Sequence, residues 1–147
     1  MAIAEFFHIM AAIIWVGGMF FAYVMLRPAV GSLDPAVRLP LFRRVLANFF
    51  PWVWASIVVL LASAYGVMVP HLGRPAYVEV MEILGLIMMA AFLHLFFAPW
   101  KRFRRAVDAG NWQAAAPQLN QIRWIVLLNL VLGIVVASVG GTGRYWG

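Results

Sequence analysis

The chain has 147 residues, of which 65% are hydrophobic and 11% charged, with a net charge of +6 and no cysteine. Ordinary soluble domains carry about 25% charged residues, so a water-soluble fold is excluded, and the missing thiols exclude disulfides, thiolate metal sites, iron–sulfur clusters and c-type haem attachment. The positive surplus lies beside long apolar runs, where membrane topology and anionic head groups account for it, and no nucleic-acid partner is implied.

Four apolar runs reach the roughly 20 residues that cross about 30 Å of hydrocarbon as a helix. The expected fold class is all-α, an integral membrane four-helix bundle, as a single membrane domain over residues 1–147 with spans at 3–26, 47–69, 76–100 and 122–140. The first run begins at once, carries Glu5 where a signal peptide would carry positive charge, and shows no small-residue cleavage site, so it reads as a retained helix. Inside it, at about 100° per residue, His8 shares a face with Ala12, Trp15, Met19 and Leu26, and Arg27-Pro28 closes the span. That stripe serves either as a ligand followed by an aromatic or as a packing face whose imidazole bonds a neighbouring carbonyl. The second span tolerates Pro51 one turn inside its start and ends before Pro70 through Pro75, the segment that holds His71.

The third span contains Glu79, Glu82 and His94, with Ala76, Ile83, Ile87 and Ala90 along the face of His94, and Pro99-Trp100-Lys101 closes it. His94 is either a ligand or an interfacial anchor, whereas Met88 and Met89 point more than about 100° away from it and read as core fillers. Residues 108–121 read as a short interfacial helix or a loop, and Asn129 is the polar residue of the last span. Small residues suited to close helix approach recur as Gly17-Gly18, as Ala55, Ala62 and Gly66, and as Gly133, Ala137 and Gly141.

Of the 11 Lys and Arg, the first and third loops hold Arg27, Arg38, Arg43, Arg44, Lys101, Arg102, Arg104, Arg105 and Arg123, and the other side holds only Arg74 and Arg144. The positive-inside rule therefore sets both termini outside, in a multi-pass protein of a bacterial inner membrane. On that topology His8 lies about five residues from the outer surface and His94 about six from the inner one, roughly 20 Å apart along the normal at 1.5 Å per residue. One haem cannot be held by both within a protomer. On the outer side, Glu5, His8, Met68, His71, Glu79, Met81 and Glu82 share a layer whose imidazoles and thioethers suit copper, and Glu82 is placed to pair with His8. Arg27, Arg43, Arg44, Lys101 and Arg123 could clamp haem propionates or lipid phosphates. No phosphate-cradling loop, hydrolytic triad or HExxH motif occurs.

The segment HIMAAIIWVGGMFFAYVMLRPA, with His8, Trp15, Gly17, Gly18 and Arg27-Pro28, resembles the first helix of the CopD-type copper-resistance membrane domain. QIRWIVLLNLVLGIVVASVGGTGRYW resembles the last helix of that family, and AFLHLFFAPWKRFRRA is similar to its third, so the resemblance covers nearly the whole chain. The spacing of His8, Trp15 and Gly18, with His94 in the third helix, also resembles in part the HemJ-type protoporphyrinogen oxidases, small four-helix proteins that bind b-type haem. The Leu-Pro-Arg segment and third-helix lysine of that pattern are absent, their regions being occupied by Ala22-Tyr23-Val24 and by Glu82 through Gly85. What carries over is haem binding rather than protoporphyrinogen oxidation. The resemblance implies a haem b protein of electron transfer or oxidoreduction, with His8 and His94 as iron ligands and His71, Trp15 and Arg27 in the cofactor-binding set. A copper transport or resistance protein using His8, His71, Met68, Met81 and Glu82 stays open beside it, as does a purely structural subunit. The partners that fit are the lipid bilayer, further copies in a homo-oligomer, and a quinone or redox protein.

Overall fold

A computed structural model describes residues 1–146. The helices are α1 (Ala2–Ala29), α2 (Pro35–Leu72), α3 (Ala76–Phe97), α4 (Pro99–Asp108) and α5 (Trp112–Thr142), followed by a 3-10 turn at Gly143–Tyr145. No strand occurs among the described residues. Four helical stretches, α1, α2, α3 with α4, and α5, are long and apolar enough to cross a membrane.

The helices outrun the expected spans. α2 begins at Pro35, so Arg38, Arg43 and Arg44 ride on its first turns rather than on a loop. Residues 112–121, expected as a separate interfacial helix or loop, are instead the opening of α5, which Asn111 caps by accepting a hydrogen bond from the Ala114 N–H at 3.1 Å. Between α3 and α4 the chain breaks at Ala98 (φ −120°, ψ −86°), because a residue before proline is pushed out of the helical region. Beyond the break α4 is amphipathic: Trp100, Phe103 and Val107 turn inward, and Arg102 and Arg105 turn out.

Two stretches are wound as π-helix, Phe21–Leu26 and Ala64–Met68. Each ends two residues before a proline, Pro28 and Pro70. Proline has no N–H for the carbonyl four residues back, and its ring crowds that carbonyl, so a wider turn relieves the clash just upstream.

α1 packs against α2 and α5, α3 against α5, and α4 folds back on α5 and α2. The α2 and α3 backbones stand further apart, and aromatic rings fill that seam. Phe50 and Trp54 of α2 meet Phe92 and Phe96 of α3 edge-on, with ring centroids 5.3–6.1 Å apart, and Trp100 joins Phe50 at 4.9 Å. Such edge-to-face pairs add about 0.5–1.5 kcal/mol each beyond the area they bury. Outside this core the mantle is apolar, with Phe6, Ile13, Phe21, Trp52, Ile83 and Val131 all exposed, which suits lipid and would be a liability in water. Only 17–28% of each apolar window is buried in the bundle.

His8 opposite Ser63 and Gly143 against Tyr77 set both chain termini and the α2–α3 turn at one end, the terminal end. The opposite, basic end carries Arg27, Arg38, Arg43, Arg44 and α4. There Arg43 donates to both oxygens of Asp108, at 2.9 and 3.3 Å, tying α2 to α4. The guanidinium holds the Asp108 carboxyl below the usual carboxylate range, with Arg104 adding a smaller pull in the same direction. A depressed folded-state value means that the pair stabilises the fold at neutral pH and loses that contribution as acid protonates Asp108. In an acid titration the melting temperature of the native protein should fall toward that of Asp108→Asn, with the two curves meeting once the carboxyl is protonated; parallel curves would show the pair to be idle. The difference at neutral pH should be small, since the pair is exposed.

In mid-bundle, buried Asn129 donates to the Met88 carbonyl at 3.1 Å, while its Oδ1 has no partner among the described residues. An interhelical hydrogen bond in a membrane protein is worth about 0.6 kcal/mol, whereas an unsatisfied buried acceptor costs about 1–3. Asn129→Leu should therefore be neutral or stabilising by about 1 kcal/mol in a detergent unfolding titration. A clear loss of stability would mean that Oδ1 has a partner, such as bound water.

Candidate functional site

The terminal end owes its geometry to an antiparallel register between α1 and α2. At Gly18 a Cβ would overlap the Phe49 ring, so the ring of α2 seats in the notch the glycine leaves on α1. Counting outward from that contact, α1 brings up His8 and α2 brings up Ser63 on facing sides. Ser63 is buried, and His8 half-buried on the inward face it shares with Trp15 and Met19, which are both 3% exposed.

His8 Nδ1 lies 2.8 Å from Ser63 Oγ. The serine hydroxyl has one proton, and it donates to the Val59 carbonyl at 2.6 Å, its own helix's carbonyl one turn back. With that proton on Val59, Oγ accepts from Nδ1–H and Nε2 keeps its lone pair; in the opposite tautomer the serine proton goes to Nδ1. An imidazole oriented through one nitrogen, with the other free, is the arrangement in which histidine ligates metals. The Leu60 carbonyl also lies by the ring, the backbone contact expected of a packing histidine.

His94 is differently placed. It belongs to the exposed stripe Ile83, Ile87 and Ala90, and its ring has no hydrogen-bond partner among the described residues. It lines an open groove of about 550 Å³ between α3 and α5, with Gln118, Gln121, Trp124 and Leu128. Arg102 closes the basic end of that groove by donating to Gln118 Oε1 at 2.9 Å and to Gln121 Oε1 at 3.4 Å. The depth of the two histidines can be read from Gly133, whose missing Cβ is filled from either side by Val16 of α1 and Met88 of α3. His8 stands eight residues outward of Val16 and His94 six residues inward of Met88, so they are about 21 Å apart along the bundle at 1.5 Å per residue. The structure does not bring them together.

The expected copper layer is dispersed. His71 is exposed, with Nδ1 on the Val67 carbonyl of its own helix at 2.7 Å. Met81 packs against Gly140, in the α3–α5 seam. Glu82 does not pair with His8: one carboxylate oxygen accepts from Tyr65 at 2.7 Å and the other from Arg74 at 2.8 Å. Met68 is half-buried in the π-wound turn of α2, and Glu5 and Glu79 are exposed. No group of three His, Cys, Asp or Glu that could hold an ion occurs among the described residues.

Trp15 belongs to the aromatic core, edge-on to Phe92 at 6.3 Å. Arg27 sits nineteen residues inward of His8 on the same helix, about 28 Å away, and cannot reach a propionate on an iron held by His8. It enters a separate pocket of about 500 Å³ with Arg38 and Arg123. Ser63 escaped the sequence reading, although Ser56 and Ser63 stand seven apart and are both buried on one face of an otherwise apolar run.

No protein-family model matches the chain, and neither the curated proteins nor the solved structures include a significant match to it.

Proposed function

We propose that this chain is a multi-pass protein of the bacterial inner membrane, with the terminal end outside and the basic end in the cytoplasm, that holds b-type haem through His8 and works in electron transfer or oxidoreduction. The observation that carries this reading is the His8–Ser63 pair. In an apolar bundle, an imidazole held through Nδ1 on a buried hydroxyl is oriented, and in the tautomer protonated at Nδ1 its Nε2 is the nitrogen that would take an axial metal bond. Haem held there would supply one-electron exchange, its potential set by the axial ligand and the low polarity around it. The chain's own residues do the rest: Ser63 holds the ring angle, Trp15 and Met19 close the inward side against water, and the Tyr65–Glu82–Arg74 network ties α2 to α3 toward the terminal end. His94, at the other depth and facing outward, serves a second site that a separate cofactor or another subunit completes.

The deciding measurement is an absorption spectrum, with metal analysis, of protein purified after expression with ample haem. A Soret band supports the proposal. Copper without a Soret band would transfer the assignment to copper handling, and neither would leave a structural subunit.

A further inference from the structure

At the basic end a pocket of about 500 Å³ opens between α1, α2 and α5. Three arginines on three different helices line it: Arg27, Arg38 and Arg123. All are half-buried, and none has a carboxylate partner among the described residues, although Arg43 on the same end is paired with Asp108. Arg27 lies over the Tyr23 ring at 4.9 Å and Arg123 over Trp124 at 5.4 Å, contacts that orient the cations without neutralising them. Three like charges around one pocket repel one another, and an anion among them offsets that cost. The positive-inside rule asks only for cations on this side of the membrane; it does not ask three helices to line one cavity with them.

The remaining wall decides what kind of anion. Beside the arginines, the half-buried apolar residues Ala22, Leu119 and Val126 line the pocket. A free phosphate would leave that surface wetted, whereas a phosphate ester on an acyl chain covers it. We infer that this pocket is a structural site for an anionic phospholipid, its phosphate held by Arg27, Arg38 and Arg123 and the start of its acyl chain laid along Leu119 and Val126. Guanidinium forks suit phosphate oxygens, and basic pockets between membrane helices take lipid head groups by this chemistry.

The test is native mass spectrometry of the full chain from phosphatidylcholine nanodiscs with and without phosphatidylglycerol. The native protein should retain one phosphatidylglycerol after surrounding lipid is stripped. A triple variant, Arg27→Gln with Arg38→Gln and Arg123→Gln, should bind it about a hundredfold more weakly, since each basic residue near the surface contributes a little under one tenfold step. Arg44→Gln with Arg105→Gln, both exposed at the same end but outside the pocket, should change retention less than about twofold. Should the triple variant not fold, Arg38→Gln alone, at the start of α2, carries the test with a loss of about fivefold. Equal losses in the control pair would reduce the pocket to diffuse surface attraction and overturn the proposal. Competition by glycerol phosphate at the same concentration as the lipid would overturn it in favour of a small-anion site, and loss of haem absorbance in the triple variant with lipid retained would reassign the arginines to a cofactor.

Discussion

His8→Ala is expected to abolish haem binding at the outer site, seen as loss of the corresponding Soret absorbance in purified protein, while helicity and yield stay near native. The side chain is half-buried and meets Ser63 and the Leu60 backbone, and its removal leaves the serine still bonded to Val59. Ser63→Ala is the sharper experiment. It keeps the ligand atom and removes only what holds the ring, and loss of such a supporting partner costs about 10–100-fold in metal affinity. The predicted result is weakened haem retention and a shifted potential in Ser63→Ala, near-native behaviour in Ser63→Thr, which keeps the hydroxyl, and no effect on the outer site from His94→Ala. If His8→Ala retains all haem and His94→Ala loses it, the ligand is His94, and the Ser63 contact is only packing. A packing role alone also predicts that Ser63→Ala leaves the potential unmoved.

The spans were legible in the sequence because hydropathy over twenty residues is a strong signal and prolines punctuate its ends. Their limits were not. A helix does not stop where hydrocarbon stops: Arg38, Arg43 and Arg44 continue α2, and residues 112–121 continue α5, because straight-chain polar residues favour helix once an apolar span has nucleated it. The three-and-four periodicity gave the companions of each histidine but not which stripe looks inward. In water the apolar stripe faces the core; in lipid both faces are apolar, and the pattern loses its direction. Trp15 and Met19 turned inward with His8, and Ile83, Ile87 and Ala90 turned outward with His94. The His8–Ser63 pair lay further out of reach, since it depends on the α1–α2 register that Gly18 and Phe49 set across a separation of 31 residues.

Depth then limits what the bundle can do. With His8 and His94 about 21 Å apart along parallel helices, a single cofactor cannot use both, and the aromatic seam fills the space between α2 and α3 at the depth of His94. The site near the terminal end is built from α1 and α2, the groove near the basic end from α3 and α5. Each histidine therefore answers to a different helix pair, and variants at one should leave the other's properties intact.

The glycines provide the largest expected effect on the fold. As a sequence feature Gly17-Gly18, Gly66, Gly133 and Gly141 look alike, but a Cβ at Gly17, Gly66 or Gly141 meets nothing within 4 Å, and one at Gly133 lies 2.7 Å from Val16 Cγ2 and 3.3 Å from Met88 Cε. Met88 can swing its terminal methyl aside; Val16, branched at Cβ and held in one rotamer on α1, cannot. Gly133→Ala should therefore push α1 off α5 and destabilise the bundle by about 1–3 kcal/mol, the usual cost of overpacking, and Gly133→Leu should fail to fold. Gly17→Ala, one residue from the Gly18–Phe49 contact, should instead be neutral or stabilising by up to about 1 kcal/mol, because it removes the glycine penalty from a helix interior. Pairing Gly133→Ala with Val16→Ala should recover most of the loss, since the smaller residue vacates the space the new methyl needs, and the two sites touch closely enough to couple. Thermal unfolding in detergent reads all four. Were Gly17→Ala as damaging as Gly133→Ala, or were the double variant no better than the single one, the tight α1–α5 approach at Gly133 could not be what sets the spacing of the bundle.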